Sequence, residues 1–171
     1  MEIKKIVEEI VKAKQIENIY FVGCGASKAD LYPAKYFVEH NSKLKTALIT
    51  ANEFNYDMPS DVGEKSIVVT ASLGGSTPET VTATGKAKEL GAAVISLTME
   101  AGSAITKDAD YVIVHGFAKN YAAKLEKMIS ALKVAVEVVN QVEGYANYEQ
   151  MEDGFEKIPA LIEKAASQVT V

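Results

Sequence analysis

The sequence predicts an α/β protein: a five-stranded parallel sheet, order 2-1-3-4-5, with helices on both faces in a three-layer sandwich. Three observations predict it. Five short apolar runs between residues 19 and 114 have the length and β-branched content of buried strands. Segments with helical patterning separate them, as parallel neighbours require a crossover. Small, hydroxyl-bearing turns follow the first and third runs, the kind of loop an open α/β sheet places at its carboxyl edge.

In chain order, Ile3, Ile6, Val7, Ile10 and Val11 recur at helical spacing among Lys and Glu, so residues 2–15 form an amphipathic helix. Ile19-Tyr20-Phe21-Val22 is the first strand, and Gly23-Cys24-Gly25-Ala26-Ser27 a tight turn. A helix follows from about Lys28 to His40, in which Pro33 belongs either to a first turn or to a kink. Lys45 to Thr50 is the second strand and Glu53 to Tyr56 a helical turn. The third strand, around Ile67-Val68-Val69, leads through Thr70–Ser76 into Thr77-Pro78-Glu79-Thr80. That last run is a helix start: Thr77 can cap, Pro78 needs no N–H there, and Glu79 complements the positive end. This helix runs to Leu90, with Gly91 closing it. Ala93 to Thr98 and Tyr111 to Val114 are strands four and five, joined through Ala101-Gly102-Ser103 and a short helix. Tyr121, Leu125, Met128, Leu132, Val136 and Val139 mark one long helix, whose apolar face packs on its own sheet or meets a partner. A last helix begins near Tyr148 or Met151, with a break or restart at Pro159.

In the order 2-1-3-4-5 the turns after strands one and three meet where the strand order reverses, so they form two walls of one pocket. A strand, a hydroxyl-lined loop and a helix N-terminus in succession present free N–H groups and hydroxyls to an anion, most naturally a phosphate. Blander readings stand beside this. Gly23 and Gly25 serve a tight turn, Ser27 and Thr77 serve as N-caps, Cys24 fills a loop, His40 is a solvated cap at a helix end, and His115 is a bystander. The run Ser72–Thr77 weighs most toward a ligand, because a plain connection rarely strings together so many small polar residues.

Other classes fit poorly. The net charge of −5 argues against nucleic acid as a main partner. No apolar run approaches the roughly 20 residues of a membrane span, and the N-terminus lacks a signal-peptide core. A lone cysteine precludes an internal disulfide and suits a reducing cytoplasm. Gly23-Cys24-Gly25-Ala26-Ser27-Lys28 lacks the third glycine of a dinucleotide fingerprint, no acidic residue closes the second strand, and no Walker sequence is present. No cofactor or metal is expected.

Three stretches in order, Gly23–Ser27, Ala51-Asn52-Glu53-Phe54 and Ser72–Thr80, resemble the sugar isomerase (SIS) domain over residues about 18–115. With Tyr32-Pro33-Ala34-Lys35-Tyr36, the chain looks most like the amino-terminal half of fructosamine (fructoselysine) 6-phosphate deglycases. Those are relatives of the isomerase half of glucosamine-6-phosphate synthase. The resemblance implies a flavodoxin-like SIS fold and a phosphosugar or sugar–amino acid adduct as ligand. Ser72, Gly74, Gly75, Ser76 and Thr77 match the family's phosphate-binding positions, and Gly25 and Ser27 its sugar-contacting loop. The usual S-x-S-G-x-T pattern is broken by Gly74, which removes one hydroxyl, worth on the order of 0.5–1.5 kcal/mol.

Two-domain members carry a second SIS domain that supplies the general base and ring-opening acid. The resemblance therefore makes residues 1–145 a phosphosugar-binding domain, and 146–171 a helix leading toward a second domain or a homodimer partner. Glu53 and Glu79 are the carboxylates near the pocket; Glu79 suits its helix end, and Glu53 is a weak catalytic candidate. The expected activity is a share in deglycation or ketose–aldose isomerisation; the alternative is a sugar-phosphate-sensing regulatory module without catalysis.

Overall fold

The computed structural model describes residues 2–117 and 123–169. Five strands form one parallel sheet in the order β2-β1-β3-β4-β5: β1 Asn18–Gly23, β2 Lys45–Thr50, β3 Ser66–Ala71, β4 Ala93–Thr98 and β5 Tyr111–Val114. Every residue of β1, β3 and β4 is buried, as expected of central strands covered on both faces. The register aligns the strand ends: Gly23 lies opposite both Thr50 and Ala71. The turns leaving β1, β2 and β3 thus emerge side by side along one edge, as the sequence implied.

The helices divide between the two faces. On one, α1 Ile3–Ala13, α3 Tyr32–Asn41 and α6 Ala123–Glu143 bury Ile6, Val7, Phe37, Val38, Val134 and Val138 against Ile19, Phe21, Val69 and Ile95. On the other, α4 Ala51–Asp57 and α5 Pro78–Glu89 pack Phe54, Ala83 and Ala87 on Tyr20, Val22, Val68 and Val94. The alternation of side chains along each strand feeds the two layers in turn. Much of the apolar face of α6 packs on its own core, with Ala131, Val134, Val136 and Val139 fully buried, while Leu125, Met128 and Leu132 stay half-exposed. Tyr121, which the helical spacing included, lies outside the described residues.

Two expectations need correction. The single helix from Lys28 to His40 is two: α2 Gly25–Asp30 and α3, joined at Leu31. Pro33 sits in the first turn of α3, where its missing N–H has no helical acceptor to lose. Nor does Pro159 interrupt the last helix; α7 runs unbroken over Tyr148–Ser167. The strong helix formers after Pro159 (Ala160, Leu161, Glu163, Lys164 and Ala165) carry the helix past one lost bond, on a stretch largely open to water. Phe155, buried in the first half of α7, fastens it to the core.

Candidate functional site

The loop between β3 and α5 is anchored from behind by its neighbour strand. Ser72 N–H donates to Leu97 O at 3.1 Å, and Met99 N–H donates to Leu73 O at 2.8 Å. The Thr98 hydroxyl also donates to Leu73 O, at 3.2 Å. Ile105 N–H, in the 3₁₀ turn Ala104–Thr106, donates to Gly75 O at 2.9 Å. The carbonyls of Leu73 and Gly75 are thus satisfied on the protein side. The backbone N–H groups of Gly74, Ser76, Thr77 and Glu79, by contrast, donate to no other group among the described residues. They lie in the loop and first turn of the 12-residue α5, at a positive helix end of the kind that suits an anion.

Two adjacent glycines in this loop do different things. Gly75 is buried with φ +66°, and a Cβ there would fall 1.9 Å from Ser103 Oγ. Only glycine makes that close turn. Gly74 is exposed, and a Cβ there would meet nothing within 4 Å. The position where the usual pattern has serine is therefore open to a side chain.

The hydroxyls are arranged otherwise than simple capping would have it. Thr77 occupies the N-cap of α5, but its side chain caps nothing; its Oγ1 lies 3.0 Å from Ser72 Oγ. Ser72 is almost wholly buried, Thr77 half-buried and Ser76 exposed, so the pair forms the floor of the loop and Ser76 its rim. Ser27 likewise is no cap. It lies inside α2, whose N-cap position is Cys24.

The turn after β1 is the opposite wall. Gly23 is closely packed: a Cβ there would sit 3.1 Å from Lys28 N and 3.3 Å from Ala71 O, so the neighbouring backbone would have to give by a few tenths of an ångström. Gly25 opens α2 with φ +50° and is exposed. The two turns touch: the Thr80 hydroxyl, in the first turn of α5, reaches Cys24 Sγ at 3.7 Å. Cys24 thus packs between the two walls. His40 lies in the last turn of α3, stacked on the ring of exposed Tyr36 at 3.9 Å. His115, just past β5, is fully buried.

Glu53 lies on the same edge but is occupied locally. Thr50 accepts from Glu53 N–H at 3.2 Å, while Thr50 N–H donates to Glu53 Oε2 at 3.4 Å, a reciprocal cap on α4. A third link joins this helix to the site: Asn55 Nδ2 donates to Glu79 O at 2.9 Å.

Sequence reasoning missed two residues. Lys127 of α6 is 1% exposed; its ammonium lies 2.9 Å from Asp30 Oδ2 and donates to Ser27 Oγ at 3.0 Å. Asp30, the last residue of α2, is itself buried. A signal was present: Lys127 extends the buried helical stripe of Ala131, Val134 and Val138 by one turn, where an apolar residue is the rule.

Residues 10–142 match the SIS domain family, and the chain belongs to it. It is 32% identical to fructosamine deglycase FrlB of Bacillus subtilis over 168 residues, covering 98% of this chain and 51% of that protein. It is 30% identical over 154 residues to the isomerizing glutamine–fructose-6-phosphate aminotransferase of Aquifex aeolicus, covering 90% of this chain and 26% of that one. Among solved structures, a proposed phosphosugar isomerase of Salmonella typhimurium superposes with a TM-score of 0.91 at 34% identity. That alignment covers 98% of this chain and 51% of the other. The chain spans about half the length of the deglycase and a quarter of the aminotransferase. Among the described residues, no helix is long and apolar enough to cross a membrane.

Proposed function

We propose that this chain is the phosphosugar-binding half of an aminosugar or fructosamine 6-phosphate deglycase, or of a ketose–aldose isomerase, working in the cytoplasm. One observation carries the reading: the β3–α5 loop, its Leu73 and Gly75 carbonyls tied back to β4 and the 3₁₀ turn, leaves four neighbouring N–H groups unengaged beside the Ser72–Thr77 hydroxyl pair. A phosphate held there leaves the sugar to extend toward Gly25 and Ser27 across the edge. The similarity to a fructosamine deglycase and to an aminotransferase acting on fructose 6-phosphate supports a ligand of that class.

Both chemistries begin alike: a base removes a proton from the carbon beside the carbonyl, and the proton returns to the adjacent carbon. The base must stand within hydrogen-bond reach of that carbon's proton, with a pKa near the working pH. Glu53 is engaged in its helix cap, which favours placing the base and the ring-opening acid in a second SIS domain or a homodimer partner. Residues 1–145 are then the binding domain and 146–171 the connecting helix. The test is deuterium wash-in at C1 and C2 of fructose 6-phosphate, followed by NMR. The chain alone should bind and exchange nothing; exchange that Glu53→Gln abolishes would overturn the assignment and place the base in this chain.

A further inference from the structure

We propose that Lys127, held by Asp30, is a positioning residue that sets the direction of the Ser27 hydroxyl, making it a dedicated donor to an oxygen of the bound sugar phosphate. The inference rests on the phosphosugar reading above. Its physical core is donor arithmetic. An ammonium has three N–H donors and no acceptor, so in the 3.0 Å contact Lys127 donates and Ser27 Oγ accepts. The single hydroxyl proton of Ser27 must then point elsewhere, and among the described residues no acceptor takes it. Ser27 is half-buried, two residues on from exposed Gly25, on the edge where Cys24 meets the first turn of α5. That proton is left for an acceptor on the ligand, which the proposal places on the sugar side of this edge.

The placement of Lys127 argues that this arrangement is not incidental. Its Nζ is closed off from water, and its helical stripe continues into fully buried Ala131, Val134 and Val138. An ion pair in such a place is costly beside a well-packed apolar side chain of similar volume. Asp30 Oδ2, 2.9 Å away, offsets the charge through an ion contact; the hydrogen bond of the ammonium goes to the one hydroxyl on α2. With a charged donor behind it, the Ser27 hydroxyl is polarised and becomes a stronger donor than an isolated serine.

The test is calorimetric titration with fructose 6-phosphate, glucose 6-phosphate and glucosamine 6-phosphate, with inorganic phosphate and fructose as controls. Ser27→Ala and Lys127→Met should each weaken binding of the best ligand by about tenfold, the loss of one charge-assisted hydrogen bond. Lys127→Met added to Ser27→Ala should weaken it by less than about twofold further, because both changes remove the same donor. Lys127→Arg, which keeps a cationic donor, should recover most of the affinity. If Lys127→Met does not fold, Lys127→Met with Asp30→Leu removes both charges together and takes its place in the cycle. Full additivity of the two losses, or unchanged affinity without Lys127, overturns the proposal alone. If the parent chain binds none of the three sugar phosphates, the phosphosugar reading fails, and this proposal with it.

Discussion

The two loops that face each other across the sheet edge are built by opposite means. The β3–α5 loop takes its shape from backbone: hydrogen bonds to the β4 side settle its carbonyls, and Gly75 makes a turn that no side chain permits. The β1–α2 turn takes its polarity from a side chain 100 residues away, the ammonium of Lys127 behind Ser27. The difference suits two kinds of ligand group. A phosphate presents several equivalent oxygens and is met by an array of N–H groups, whereas a single sugar oxygen needs one hydroxyl pointed the right way.

That contrast is most sharply broken at Lys127. Lys127→Met leaves Asp30 buried without its partner and should cost about 3–5 kcal/mol in denaturant unfolding, with much of the loss recovered when Asp30→Leu is added. Next in size is Gly75→Ala, which meets Ser103 and forces a left-handed conformation; about 2–4 kcal/mol is expected. Gly74→Ala, one residue earlier, should stay within about 0.5 kcal/mol of the parent in the same measurement. Equal effects at the two glycines would mean that the loop is not held as described.

Smaller effects separate ligand contacts from scaffolding. Ser72→Ala and Thr77→Ala should each weaken phosphosugar binding by about 0.5–1.5 kcal/mol, and by less than the sum when combined, since the two hydroxyls bond to each other. Glu53→Ala should lower stability by on the order of 0.5 kcal/mol through its cap and leave affinity unchanged. The least effect is expected from Gly74→Ser, which fits the open space and should tighten binding by a few-fold, on the order of 0.5 kcal/mol.

The same contrast explains what the sequence disclosed. The strands and the order 2-1-3-4-5 follow from runs such as Ile67-Val68-Val69 and from the crossover helices between them, which are local signals. The run Ser72–Thr77 stands out as a candidate because its small polar residues are contiguous. What stayed hidden depends on partners distant in sequence. Nothing beside Ser27 announces that its hydroxyl accepts from Lys127 rather than capping a helix. Nothing beside Thr77 shows that Ser72, not an N–H of its own helix, is its partner. The split at Leu31 and the continuity through Pro159 likewise turn on packing and solvent around single residues, which periodicity alone does not encode.

The most direct measurement is calorimetry of the 171-residue chain with a sugar phosphate, its unphosphorylated sugar and the Ser72→Ala and Thr77→Ala variants. Saturable binding that needs the phosphate and weakens in both variants is the expected result. Binding indifferent to the phosphate, or untouched by either substitution, would contradict the claim that the β3–α5 loop is a phosphosugar site.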